Sequence, residues 1–329
     1  MAAQKTTRGL LDLWARALGL TLLLGGLAIP AYAFWEVSRP PVYGLAEQVS
    51  VPLPPQRPDL AVPPYRDGVL VLCYHDLANQ AHNKYTVTPA AFAAQMVALH
   101  DAGFHTISAR EFARFYEGKQ VKLPSRPLLI TFDDGAKGTW IYADRILHQL
   151  GFKATVFLIT GDVSHHQPYY LDWPEVEAMQ ATGRWSFGSH TAEGHGLVAS
   201  DNSGDEGPFL TNRVWLPDKD RLETLEEYRA RVEADLERSI ADIEEHGLPR
   251  PLIFAFPFSA TVEPTNDPAI GPILAHLLAR RFSAQLDNTT TATLVMPRQA
   301  EPLPRIEVFR TTTATNLLRE AAATISGGG

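Results

Sequence analysis

The stretch Leu128-Leu129-Ile130-Thr131-Phe132 follows Pro127 and runs straight into Asp133, Asp134 and Gly135. A short apolar run bounded in this way reads as a strand covered on both faces. Such strands belong to parallel sheets whose crossovers are helices, so this one stretch confines the chain to α/β architectures. It also puts two carboxylates at a strand's C-terminal end, where α/β folds carry their chemistry. Adjacent like charges repel, and a divalent cation held by one of them is the simplest way to favour the ionised forms. Taken alone, Asp-Asp-Gly is more simply a solvated turn capping the next helix. The rest of the chain changes that balance.

Strands and helices alternate on either side of this run. Val69 to Cys73 reads as a strand, and Pro89 to Ala102 as a helix with Thr88 as N-cap and Pro89 at the first position. After the Leu128 strand come a helix from Thr139 to Leu150, a strand from Ala154 to Ile159, a helix from Pro174 to Ala181 and a strand from Trp185 to Gly188. The longest helix spans Glu223 to Glu245, with Leu225, Tyr228, Val232, Leu236, Ile240 and Ile243 spaced by three and four. A strand at Leu252 to Phe256 and a helix at Pro268 to Arg280 follow. Short strands near Ser283 to Leu286 and Arg305 to Val308 precede a last helix from Ala314. About seven β/α units predict a closed or nearly closed barrel.

Composition decides less. With 329 residues, 45% of them hydrophobic, one large α/β domain plus appendages is expected. The formal charge of -8 argues against a nucleic-acid partner and leaves a small molecule or carbohydrate open. Cys73 is the only cysteine, so no internal disulfide is possible.

At the N-terminus, Lys5, Arg8 and Arg16 precede an uncharged, leucine-rich stretch from Ala17 to Trp35. That length and flank suit a membrane-spanning anchor over residues 1–36. Ala31-Tyr32-Ala33 equally suits a signal-peptide cleavage site. The expectation is a single-pass membrane protein with its folded domain outside the cytoplasm, or a secreted or periplasmic one if the segment is cleaved. Residues 37–68 are rich in proline and read as an extended spacer, with the folded domain spanning 69–329.

Four polar clusters fall at strand ends: Tyr74-His75-Asp76, Asp133-Asp134, His190 through His195, and Pro257-Phe258. In a barrel these ends share one rim, so the clusters converge on one pocket. His190 and His195 with one aspartate would make a two-histidine, one-carboxylate set that leaves coordination positions open, as a catalytic metal requires, whereas two histidines in a loop, taken alone, are more often plain surface residues.

Together, Cys73-Tyr74-His75-Asp76, Thr131-Phe132-Asp133-Asp134-Gly135, Gly188-Ser189-His190-Thr191 with His195, and Phe256-Pro257-Phe258 resemble the polysaccharide deacetylases of the NodB-homology carbohydrate esterases. The likeness extends to the exported enzymes acting on poly-β-1,6-N-acetylglucosamine and covers Val69 to Arg310. It implies a distorted (β/α) barrel in which Asp134, His190 and His195 bind a divalent metal, Zn²⁺ first and other divalent transition metals next. It further implies Asp133 as general base, His75 as general acid and the Phe258 backbone N–H as oxyanion donor. The family has Pro-Tyr-Gly where this chain has Pro257-Phe258-Ser259, which removes the tyrosine hydroxyl and keeps the backbone donor. Only a short tail follows Arg310, so the second C-terminal domain of some relatives is not expected.

The segment from Ala199 to Asp220 is long for a β/α loop, and its Trp215 is a candidate for stacking on a sugar, alongside an ordinary packing role. The expected activity is removal of N-acetyl groups from an extracellular N-acetylglucosamine polymer. Alternatives are peptidoglycan, chitin oligomers or an O-acetylated glycan as substrate, a catalytically inactive glycan-binding or export module, and an iron oxygenase using the same ligands.

Overall fold

In the computed structural model, residues 45–55, 61–165, 169–288 and 291–327 are described. The run that ends on Asp133 is β2 (Pro127–Phe132), and every residue of it is buried. Its ring partners are β1 (Leu70–Tyr74), β3 (Ala154–Leu158), β4 (Trp185–Ser189), β5 (Ile253–Ala255), β6 (Ala284–Asn288) and β7 (Leu303–Glu307). All neighbours are parallel, and β1 pairs with both β2 and β7, so seven strands close into a barrel. Closure is uneven. β1 and β2 share five register pairs from Leu70–Leu128 to Tyr74–Phe132, whereas β4 meets β5 only at Ser189–Phe254. The expected distorted barrel is what forms.

Alternation along the strands sorts their side chains. Val71, Leu129, Ala255, Leu286 and Leu303 join one apolar cluster, while Leu70, Leu72, Leu128, Ile130 and Phe132 join another with the surrounding helices. Those helices are α1 (Pro89–Asp101), α2 (Ala109–Tyr116), α3 (Asp144–Leu150), α4 (Trp173–Ala181), α5 (Leu225–Glu245), α6 (Ile270–Ala279) and α7 (Ala314–Ile325). Thr88 caps α1 as expected, its side chain accepting from the Ala91 N–H. Residues Thr139–Ala143 wind as a π-helical turn before α3.

Three features depart from the sequence reading. Helix α2 was not anticipated. A capping box between Ser108 and Glu111 starts it, and Phe112 and Phe115 pack with the inner residues Val69, Val71 and Leu129. The long Ala199–Asp220 segment builds two hairpins, Leu197–Ala199 with Glu206–Pro208 and Trp215–Leu216 with Arg221–Leu222. The proline-rich stretch, where described, lies against the domain instead of standing off from it: Trp140 Nε1 donates to the Ala46 carbonyl (2.8 Å), Arg126 Nη2 to that of Val62 (2.8 Å), and Val51 and Val62 are buried. Proline content sets local stiffness and cannot report such long-range docking. The anchor or signal reading of residues 1–36 falls outside the described residues. Among the described residues no helix is long and apolar enough to cross a membrane.

Candidate active site

The strand ends that carry the polar clusters do meet. Asp133 leaves β2 with its N–H bonded to the Tyr74 carbonyl (2.9 Å), and its buried carboxylate receives two parallel hydrogen bonds from Arg305 on β7. These run from Nη1 to Oδ1 and from Nη2 to Oδ2, both 2.7 Å. The Cys73 thiol donates to the same Oδ2 at 3.4 Å. Burial pushes the Asp133 carboxyl up, but the Arg305 guanidinium beside it holds it well below the usual carboxylate range.

Asp134 takes the opposite direction because its backbone is left-handed, with φ of 68°. That turn swings its carboxylate toward the histidines. His190 Nε2 and His195 Nε2 each lie 3.4 Å from Asp134 Oδ1. His190 Nδ1 donates to the Ala255 carbonyl (2.8 Å), since a carbonyl can only accept, and this leaves Nε2 for the shared centre.

The three donor atoms lie within 4.8 Å of one another. A tetrahedral ion with bonds of about 2.0–2.2 Å spaces its ligand atoms about 3.3–3.6 Å apart, so the 3.4 Å separations fit one. Charge fits as well. Burial works against protonated His190, yet the carboxylates of Asp134 and Asp133 carry it above its ordinary value: the cluster favours positive charge at its centre. Burial, then His190, brings His195 down to about 4, leaving its lone pair free at neutral pH.

His75 extends from β1 into the same cleft, its ring 4.5 Å from that of Tyr85. Its Nδ1 is buried and, among the described residues, has no hydrogen-bond partner. Phe258 and Ser259 both adopt positive φ (56° and 55°), and Phe258 is 53% exposed, with its ring 4.5 Å from that of His195. All six residues singled out from the motifs therefore line one cleft of about 340 Å³. Trp215 does not line it. The hairpin pairs Trp215 with Leu222, and the sugar-stacking expectation has no support in its position.

Sequence reasoning missed Arg305, Glu307 and Asn288. Arg305 and Glu307 alternate on β7 and so share a face, which in a closed barrel points inward. Two charges two apart in a buried strand were the available signal. Asn288 Nδ2 donates to Glu307 Oε1 (2.9 Å), and burial raises the Glu307 carboxyl above its ordinary value. Both residues line the cleft wall.

Residues 120–269 match the polysaccharide deacetylase family model. Over that segment the chain is similar to polysaccharide deacetylases. The match contains Asp133, Asp134, His190, His195 and Phe258, whereas His75 and Arg305 lie outside it and reach the cleft only through barrel closure.

The poly-beta-1,6-N-acetyl-D-glucosamine N-deacetylase of Staphylococcus epidermidis is 32% identical over 162 residues, which is 48% of this chain and 53% of that protein. The Escherichia coli K12 protein of the same name is 23% identical over 224 residues, 63% of this chain and 33% of that one. The chain thus spans between a third and about half the length of these relatives. Among solved structures, a de-N-acetylase from Aggregatibacter actinomycetemcomitans aligns with a TM-score of 0.64 at 19% identity, covering 77% of this chain and 100% of that one. IcaB from Ammonifex degensii aligns at 0.60 and 24%, covering 78% and 98%. These likenesses establish the deacetylase barrel fold.

Proposed function

We propose that this chain is a metal-dependent deacetylase that removes N-acetyl groups from an N-acetylglucosamine polymer outside the cytoplasm, with poly-β-1,6-N-acetylglucosamine as the leading substrate. The observation that carries the reading is the convergence of Asp134, His190 and His195 at metal-ligand spacing beside an ionised Asp133. The printed names of the relatives support the substrate class, and the apolar stretch from Ala17 to Trp35 supports export or anchoring.

Asp134, His190 and His195 would hold the ion, and two imidazoles with one carboxylate suit Zn²⁺ and other divalent transition metals. When bound, such an ion supplies an acidified water and polarises the acetyl carbonyl. Asp133 accepts the proton of the attacking water, its carboxylate kept charged and fixed by Arg305. The negative charge that develops on the acetyl oxygen meets the Phe258 backbone N–H. His75 gives a proton to the departing nitrogen, because an amine leaves poorly as an anion. The C–N bond breaks, and acetate and a free glucosamine amine result.

Acetate release from a panel of acetylated glycans tests the proposal, together with Asp133→Asn. The expected outcome is release from the β-1,6 polymer by the wild-type chain, and none by the variant with its metal content unchanged. Release from peptidoglycan or chitin oligomers alone would move the substrate, and release from no glycan would overturn the enzymatic reading.

A further inference from the structure

Helix α5 carries a row of polar side chains that its apolar spacing does not explain. Asp235, Ser239 and Asp242 are four and three apart, so they share a face, and that face runs beside the buried Val232, Leu236, Ile240 and Ile243. Each bonds to the end of a barrel strand or to the loop that follows it. Thr160 Oγ1, just past β3, donates to Asp242 Oδ2 (2.6 Å). The Ser239 and Ser189 hydroxyls are 2.7 Å apart, and Ser189 precedes His190. Asp235 Oδ2 accepts the Ala192 N–H (3.1 Å) and Oδ1 the Glu193 N–H (2.7 Å).

Those N–H groups belong to the loop that joins His190 to His195. The loop is not relaxed. Thr191 sits at φ 77°, a region that β-branched residues avoid. Its conformation is held by the Thr160 N–H on the Thr191 carbonyl (3.1 Å), the Gly161 N–H on that of Ala192 (3.0 Å) and Asp235 from the other side. The fit is close, for a Cβ on Gly194 would lie 3.1 Å from Asp235 Oδ2 and 2.9 Å from the Phe209 ring.

We infer that Asp235 is a positioning residue for the metal centre: its buried carboxylate gathers consecutive N–H groups of the Thr191–Gly194 turn and so sets the spacing of the two imidazoles. The inference rests on the metal-binding reading proposed above. A carboxylate suits the task because its two oxygens offer about four acceptor sites to converging donors, and an amide oxygen offers half as many. Partners of this outer kind govern metal affinity by fixing ligand orientation before the ion arrives.

The test uses the full chain stripped of metal and titrated with Co²⁺ and Zn²⁺ against a chromophoric chelator. Asp235→Asn is expected to weaken both affinities by about 10–100-fold and to alter the visible Co²⁺ spectrum. Ile240→Val, which loosens the same helix without touching the loop, is expected to leave affinity and spectrum unchanged. Should Asp235→Asn not fold, Gly194→Ala presses on the same contact from the loop side and is expected to shift affinity in the same direction. A variant affinity within about threefold of wild type, with the spectrum unchanged, overturns the inference. A wild-type chain that binds neither ion overturns the metal reading itself, which is a distinct result.

Discussion

Arg305→Met isolates the electrostatic reasoning about the site. Arg305 is fully buried and supplies both close hydrogen bonds to Asp133, which is itself 2% exposed. Methionine keeps much of the side chain's length and removes the charge. Leaving a buried carboxylate without its partner costs about 3–5 kcal/mol.

The effect must depend on pH, and its sign follows from linkage. In the wild type Asp133 lies below its ordinary value of 3.8, so its contribution to stability is present above that pH and lost as pH falls through the folded value. In the variant burial, the Cys73 thiol and the neighbouring His190 and His75 remain, and burial is the largest influence on this carboxyl. Its folded value then rises above the unfolded one, and the variant loses stability as pH climbs past the ordinary aspartate range. The stability gap should therefore open by up to about 1.4 kcal/mol per pH unit and level off at about 3–5 kcal/mol near neutrality. Urea unfolding of metal-free protein, followed by tryptophan fluorescence at about pH 4.5, 6 and 7.5, measures it. A gap equal at all three values would refute the assignment of Arg305 as the group that keeps Asp133 charged. The Asp133→Asn, Arg305→Met double variant should show no such slope.

His75→Gln should lower kcat for acetate release by about 10²–10⁴-fold while metal affinity, read by chelator competition, stays at the wild-type value. Trp215→Ala should leave kcat/KM on a polymeric glycan within about twofold of wild type, because Trp215 stands outside the cleft. Gly138→Ala should destabilise the domain by about 1–3 kcal/mol in a thermal melt, since its Cβ would come within 2.1 Å of the Leu77 carbonyl oxygen, a backbone atom that cannot rotate away.

Much of the barrel was legible because each strand is a short buried run and each long helix shows its apolar period. Leu128 to Phe132 and the Leu225–Ile243 series announce themselves from local spacing alone. Helix α2 escaped because its eight residues are too few to display a period, although Ser108 and Glu111 already spelled its capping box. Residues 45–55 read as spacer because proline content describes the chain locally, whereas the bonds holding Ala46 and Gln48 lead to Trp140 and Asp144, about a hundred residues on.

The candidate site divides along the same line. Asp133, Asp134, His190 and His195 could be named from the chain alone, since each pair sits in one short motif at a strand end and a parallel barrel gathers such ends on one rim. Arg305 could not, because nothing local ties it to a residue 172 positions earlier. Only closure of β7 onto β1 brings its guanidinium beneath Asp133, and only the positive φ at Asp134 turns the second carboxylate toward the imidazoles instead of into the barrel. Residue type and spacing determined which groups were available for chemistry. Tertiary structure decided which of them are charged, which are paired and which face the cleft, because those properties depend on burial and on neighbours distant along the chain.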